Sequence, residues 1–526
     1  MKRSICLLTA LIMLFALCAC GGEKAEVQPA VSESEPAAAE AGQEKVLRIG
    51  ITESSQSFSP VSTGGLPQNL AYEFLCTTDG SGVIEPWLAE SLEWLDESTL
   101  KIVLRDGIRF ADGDPMTGED VLYSLYYAAT APGYMLSKNY DCVDFDASYV
   151  EDDGLTVMVK TLRPFANLRN WLTSLCLINK SAVEGLASDE PSWWDRPSTS
   201  SAYEIVENVD GSHVIFRARE DYWDTENPPL WDEIAFHYYA NATAMFIAFE
   251  NGELDLLLKA DSKDYDRALA GNVAHPETTS CYTVTINSLM SATLGAYCEY
   301  FEDAKVREAV AHALDAEAIA LVAYGSLAQA GVSSFLSPMF TGAYESQGID
   351  QYDVEYAKQC MAESAYPDGF SIHCIALNTD SLALEVAKEN LAAIGIDLNV
   401  DIYDFSAWAA ALLTPGATDF TLLAGASSIG PYEAIFSYSA NNALTGTCVL
   451  DPRFNELLDA LPATFDEDEV NEMLKELQRL VYEQKWIIPL FEVSYAICYD
   501  NTVLSCDLTS CSTCSYVQFD CVPVSG

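Results

Sequence analysis

Apolar and polar positions alternate or recur at helical spacing along most of the chain after residue 45. Val46-Leu-Arg-Ile-Gly-Ile51 reads as a first strand, and the polar, Gly/Ser/Pro-rich stretch from Thr52 to Gly65 reads as a loop. Glu93–Leu95 and Thr99–Leu104 form a strand pair around the short turn Asp96-Glu97-Ser98. Asp112-Gly113 marks a second turn. Thr117 then caps a helix with Asp120 three residues on, and Val121, Leu122, Leu125 and Ala128 supply its apolar face. Leu155–Lys160, Tyr203–Val206, His213–Arg217 and Ile234–Tyr238 read as further strands, and Ala242–Glu250 as a helix stopped by Asn251-Gly252.

The second half is patterned more strongly. Asp303 precedes the stripe Val306, Ala309, Val310, Ala313 and Leu314, the spacing of one buried helix face. Asp315 and Asp353 cap two more helices, the first of them ended by Gly325. Phe370, Ile372, Cys374 and Ala376 share one face of a strand. A helix from Ser381 to Ile394 ends at Gly395, and Ile396, Leu398, Val400 and Ile402 alternate along the next strand. Strand, helix, strand at this spacing predicts a βαβ unit and a parallel sheet, hence an α/β fold. Val470, Leu474, Leu477 and Val481 predict a long amphipathic helix, and Trp486–Val493 a returning strand.

The N-terminus follows other rules. Lys2 and Arg3 precede an apolar run from Ile5 to Leu17, too short to span a bilayer, which needs about 20 apolar residues. Such a run fits the core of a secretory signal over residues 1–19. It ends in Leu17-Cys18-Ala19-Cys20-Gly21, which resembles the lipobox of bacterial lipoproteins. That resemblance implies lipid on Cys20, held at the cell membrane on its extracytoplasmic face; two acyl chains anchor stably where one does not. Residues 20–45, rich in Ala, Glu, Ser and Pro, then read as a disordered tether reaching about 80 Å when extended.

Composition narrows the partners. A formal net charge of −52 makes nucleic acid a poor partner. Of the 16 cysteines, Cys6, Cys18 and Cys20 belong to the signal, so 16 − 3 leaves thirteen in the body, an odd number. Cys511-Ser-Thr-Cys514 is a lone CxxC and predicts a local disulfide or two inert thiols more readily than a metal. No His is followed by Glu, no Gly precedes Lys, and no GxSxG elbow occurs. The chain therefore reads as a non-enzyme, with no catalytic residues, no metal and no cofactor.

Several blocks together resemble one family. They are Pro86-Trp-Leu-Ala-Glu-Ser-Leu-Glu-Trp94, Leu104-Arg-Asp-Gly-Ile-Arg-Phe-Ala-Asp-Gly-Asp-Pro-Met-Thr-Gly-Glu-Asp-Val-Leu-Tyr-Ser124, Asn251-Gly-Glu-Leu-Asp-Leu256, Val306–Ile319, Tyr352–Lys358 with Tyr366–Phe370, and Ile394-Gly-Ile-Asp397. In this order they are similar to the extracytoplasmic solute-binding proteins of peptide and nickel ABC importers, the oligopeptide/dipeptide-binding family 5. The resemblance implies a two-lobed, periplasmic-binding-protein-like (class II) clamshell with mixed sheets and an extra N-terminal subdomain. On it, lobe I spans 46–281 with an inserted subdomain at roughly 90–200, lobe II spans 282–490, and 491–526 returns to lobe I. The chain crosses between lobes near Tyr282–Asn287 and Pro489–Tyr499, with Asn287 and Pro489 as hinge positions.

The same resemblance implies a monomer that takes a peptide or small solute and delivers it to a membrane permease and its ATPase. A surface receptor or sensor on this fold, or a family member taking a metal chelate or oligosaccharide, is the alternative. In peptide binders of the family an Asp before a Pro holds the ligand's α-ammonium. The matching stretch, Leu423-Ala-Gly-Ala-Ser-Ser-Ile-Gly-Pro431, places Ser427 there, with Ala424 and Gly425 alongside. Either the position lies elsewhere, or Glu433 or Glu53 substitutes, or the ligand has no free α-amine. Glu53, Ser54 and Phe58 are expected to form the opposite wall, and Trp408 and Tyr432 to supply aromatic contacts.

Overall fold

The computed structural model describes residues 44–52, 58–61, 65–78, 83–131, 134, 136–184, 194–403, 405–426, 430–440, 448–508 and 520–524. The calls on Cys20, Glu53, Ser54, Ser427, Cys511 and Cys514 lie outside the described residues. Everything described below belongs to one unit, Glu44–Gly526.

A mixed sheet carries the architecture. Its strands lie in the order Phe420–Ala426, Thr279–Leu294, Ile487–Asp500, Leu256–Ala260, Val46–Ile51, Glu233–Tyr238, His213–Ala218 and Tyr203–Val209, and Ala328–Ala330 also pairs with Ile487–Asp500. Val46–Ile51 is parallel to both of its neighbours, whereas the outer pairs are antiparallel. Two separate apolar cores form on this frame. Leu47, Ile49, Phe216, Phe236, Leu256 and Leu258 build the first. Ala292, Phe420, Ile488 and Phe491 build the second, with the helices Ala304–Ala313, Val354–Glu363 and Ser381–Ala392.

Thr279–Leu294 and Ile487–Asp500 run through both cores as an antiparallel ribbon, from Thr279 opposite Asp500 to Thr293 opposite Ile487. Val284 and Ile497 belong to the first core, Ala292 and Ile488 to the second. The returning strand is longer than its sequence pattern predicts. It continues past Val493 to Asp500 because residues 494–500 go on pairing with the other crossing strand. The ladder shifts register between Thr285 and Ser288 and again between Met290 and Ser291. Asn287 falls inside the first shift, and Pro489 faces Ser291 beside the second. Extra residues at such shifts bend a strand.

An inserted layer stands on the first lobe. Ala89–Asp96, Thr99–Leu104, Thr156–Lys160 and Tyr149–Val150 make an antiparallel sheet backed by helix Gly118–Thr130. Its apolar core runs from Leu75 to Leu177, so Leu75, Cys76 and Leu88 already belong to it ahead of position 90. Thr117 starts the helix, its N–H donating to the Asp120 carboxylate (2.8 Å). Asp303, Asp315 and Asp353 cap their helices with side-chain oxygens, as their sequence contexts predict.

The βαβ unit is present. Phe370–Leu377 and Ile396–Tyr403 are parallel, in register from Phe370 opposite Ile396 to Leu377 opposite Tyr403. The two strands start from Gly369 and Gly395, which nearly touch. A Cβ on Gly369 would lie 2.0 Å from the Gly395 carbonyl oxygen, and both residues hold positive φ, so only glycine fits. The whole is a two-lobed α/β clamshell with mixed sheets and an inserted third layer.

Candidate functional site

The inserted layer and the second lobe face each other across a groove. On one side the chain turns through Arg163-Pro164-Phe165 into the short helix Leu168–Trp171. On the other, Pro431 opens the helix Pro431–Ile435 at a position where proline's missing N–H is harmless, and Phe436–Tyr438 continues it as a tighter turn. Several contacts among the described residues hold the sides together. The Asn167 N–H donates to the Pro462 carbonyl (3.2 Å), Trp171 meets Phe436 edge-on (5.4 Å) and Trp94 meets Phe465 edge-on (5.2 Å).

Between these contacts lies a cavity of about 330 Å³, lined among others by Asp141, Arg163, Phe165, Tyr432, Phe436 and Asp459. That volume is at the lower end of the range of roughly 300–1,000 Å³ typical of small-ligand pockets. The walls carry both chemistries a short zwitterion needs. Arg163 lies over the Phe165 ring (4.9 Å) and bonds Asp141 (2.8 Å). Both partners are about half exposed, 48% and 46%, so this pair is weak and exchanges easily for a ligand carboxylate or ammonium. The Tyr432 and Phe436 rings, 6.3 Å apart, give an apolar flank.

Beneath the groove the Glu433 side chain is buried and accepts a hydrogen bond from the Asn167 amide of the opposite side. Burial raises its carboxyl to about 7; the hydrogen bonds from Asn167 and Asn170 pull the other way and only partly offset it. Gly430 makes room for this arrangement. A Cβ there would sit 2.6 Å from Glu433 Oε2 and 3.1 Å from Asn170 Nδ2. Another acid, Asp380, follows the parallel strand Phe370–Leu377 at its carboxyl end, where ligands bind in open α/β sheets. Burial raises it to about 6. Among the described residues no group of three or more His, Cys, Asp or Glu is placed to hold a metal ion.

The structure thus puts Tyr432 on the cavity wall and buries Glu433 beside it, but Phe58 is a correction. Its side chain has no exposed surface, its ring packs against Phe216 (6.0 Å) and its backbone is bonded to Trp194 and to the Tyr72 hydroxyl. An aromatic ring in a chain of loop residues gains more from the lobe I core than from a solvated wall. Trp408 is half-buried on helix Phe405–Leu412, which packs on the parallel strand pair. Ala424 and Gly425 lie in strand Phe420–Ala426, opposite Met290 and Leu289. Sequence reasoning missed Asp141, Arg163, Phe165, Asn167 and Asp459. Only Arg163-Pro164-Phe165 carried a local sign, that of a turn.

Known proteins resemble this chain in sequence and in fold. The family model described as bacterial extracellular solute-binding proteins, family 5 Middle, matches residues 83–443. The glutathione-binding protein GsiB of Salmonella paratyphi A is 24% identical over 446 residues, covering 80% of this chain and 82% of GsiB. Among solved structures, DppA of Helicobacter pylori in complex with the peptide STSA superposes with a TM-score of 0.78 at 19% identity, covering 91% of this chain and 98% of DppA. NikA of Brucella suis in complex with Fe(III)-EDTA superposes with a TM-score of 0.79 at 17% identity, covering 91% and 100%. At these identities the structural matches show the shared fold.

Proposed function

Because the chain belongs to family 5 of the bacterial extracellular solute-binding proteins, we propose that its solute is an oligopeptide or dipeptide, captured between the lobes and released to the permease of an ABC importer. The family consists of extracytoplasmic substrate-binding proteins that serve ABC importers. The observation that carries the peptide reading is the groove itself: Arg163, Asp141 and Asp459 beside the Tyr432 and Phe436 rings, with the two sides joined beneath it by Asn167 and Glu433. A peptide offers a carboxylate, an ammonium and apolar side chains, and the groove has a partner for each. Glutathione and STSA, named with two of the similar proteins, are both short peptides.

In this reading Thr279–Leu294 and Ile487–Asp500 are the two lobe crossings, lobe I is 46–281, lobe II is 282–490, and the register shifts beside Asn287 and Pro489 take up the bending. Hinge closure on a ligand is an established repertoire for such folds. Lipid on Cys20 tethers the body at the membrane beside the permease.

A thermal-shift screen of di- to octapeptides, nickel and iron chelates and oligosaccharides tests the cargo. A peptide at 100 times its Kd raises stability by about 2.7 kcal/mol. Flat melting curves with every peptide class would reject peptide as the solute, and a shift with a chelate alone would replace it. Cys20→Ala tests the anchor and is expected to release the protein or leave it unprocessed. A mature, fully membrane-bound variant would remove that assignment.

A further inference from the structure

Four body cysteines face each other in two pairs. Strands Leu504–Cys506 and Cys521–Pro523 run antiparallel with Cys506 directly opposite Cys521. Residues so placed have Cα atoms about 4.5 or 5.5 Å apart. Both values lie inside the span of about 4.4–6.8 Å that a disulfide bridges. The two side chains are buried together in the first lobe's core, with Sγ atoms 2.6 Å apart. The backbone around them is held from outside the hairpin. The Trp231 indole donates to the Cys521 carbonyl (2.6 Å), the Leu508 N–H donates to the Tyr282 hydroxyl oxygen (2.9 Å), and that hydroxyl donates to Cys506 Sγ (3.6 Å). The sulfurs therefore meet without any movement of the fold.

We propose that Cys506 and Cys521 are a disulfide in the exported protein, fastening the C-terminal segment to the first lobe. A second pair rests on its own observation. Cys281 faces Cys498 on the two crossing strands. Cys281 is only half-buried, whereas Cys498 is buried. A hydrogen bond between the thiols lowers the pKa of Cys281 and, together with burial, raises that of Cys498. Cys281 is thus the accessible nucleophile and Cys498 the resolving thiol, and their bond would staple the ribbon at its first-lobe end.

The oxidant is a low-molecular-weight disulfide, RSSR. One protein thiolate attacks a sulfur of RSSR and expels RS⁻, which takes a proton. The facing thiol loses its proton and attacks the mixed disulfide, expelling the second RS⁻. Two protein thiols give up two electrons and two protons, and RSSR leaves as two RSH. Persistence of the bonds rests on the extracytoplasmic location of the family, since cytosolic thiols are kept reduced.

Mapping the full-length protein tests the pairing. Protein recovered from cells is denatured without reductant, blocked with N-ethylmaleimide, and digested with chymotrypsin and Asp-N for mass spectrometry. The expected linked peptides join Cys506 to Cys521 and Cys281 to Cys498, and both disappear on reduction. Protein recovered with free thiols is folded with glutathione disulfide and mapped again, which should give the same two links. N-ethylmaleimide on all four thiols after both treatments overturns the proposal, as does linkage of any of them to Cys511 or Cys514. Cys506→Ser should leave Cys521 blocked and the Cys281–Cys498 link intact; where that variant does not fold, the wild-type map decides. Links that form only with glutathione disulfide keep the pairing and count against the location.

Discussion

The Asn167 amide donates to the Glu433 carboxylate, joining the inserted layer to the second lobe across 266 positions of chain. The bond lies beneath the groove lined by Arg163 and Tyr432, so on the proposed reading it belongs to the closed clamshell. It is also exposed to pH, because burial raises the Glu433 carboxyl.

Burial holds the Glu433 carboxyl at about 7, above its ordinary value of 4.5. The closed form therefore binds a proton that a solvated, open form releases between those two values. Closure is expected to weaken as pH rises from about 4.5 to 7, by up to about 1.4 kcal/mol per pH unit. Below 4.5 both forms are protonated and the dependence disappears. Fluorescence transfer between dyes on the two lobes should show it, and Glu433→Gln should flatten it. An unchanged pH profile in that variant would remove Glu433 from closure.

Tyr432 lines the cavity without belonging to the deep core. Tyr432→Ala is expected to lower the affinity of the best peptide about tenfold, or about 1.4 kcal/mol, with little change in the ligand-free melting temperature. Calorimetric titration measures it, and equal affinities would place the peptide elsewhere in the cleft.

Glu73 is buried where the first lobe meets the inserted layer. It accepts from the Trp87 indole (3.2 Å), the Trp223 indole (3.1 Å) and the Tyr222 hydroxyl. Glu73→Ala leaves three donors facing apolar surroundings and is expected to cost about 3 kcal/mol or more in urea unfolding. Glu73→Gln, which keeps one acceptor, should cost less. A neutral Glu73→Ala would mean that water replaces the carboxylate.

Lys485 ends helix Glu467–Gln484 in a left-handed conformation (φ 58°), bonds Asp350 (2.6 Å) and lies over the Tyr482 ring (3.7 Å). Both partners are nearly buried, at 8% and 12% side-chain exposure. Lys485→Met strands a buried carboxylate and is expected to destabilise by about 3–5 kcal/mol. Adding Asp350→Leu should restore most of that loss, since a buried pair replaced by apolar groups is often neutral. No recovery in the double variant would assign the loss to the backbone conformation instead.

Much of this fold was legible along the chain. Thr117 with Asp120, and Asp303, Asp315 and Asp353, act on N–H groups within three residues of themselves, so their neighbours announce them. The alternation of Phe370–Leu377 and Ile396–Tyr403 carries the parallel pair for the same reason. The site was far less legible. The spacing to Pro431 led to Ser427, with Glu433 only a substitute acid and Tyr432 an aromatic candidate, whereas Arg163 and Asn167 belong to a turn with no chemical signature of its own. Phe58 failed because an aromatic residue near a polar loop reads the same whether it faces a cleft or a core.

By itself the sequence determined the strand and helix periods, the caps and the family-like blocks, all of which depend on residues a few positions apart. Only the tertiary structure decided that Asn167 meets Glu433, that Cys506 faces Cys521, and that Lys485 finds Asp350. Those contacts join segments 266, 15 and 135 positions apart. A short-range pattern fixes which face of an element is apolar; which two polar side chains then meet depends on how every intervening element packs.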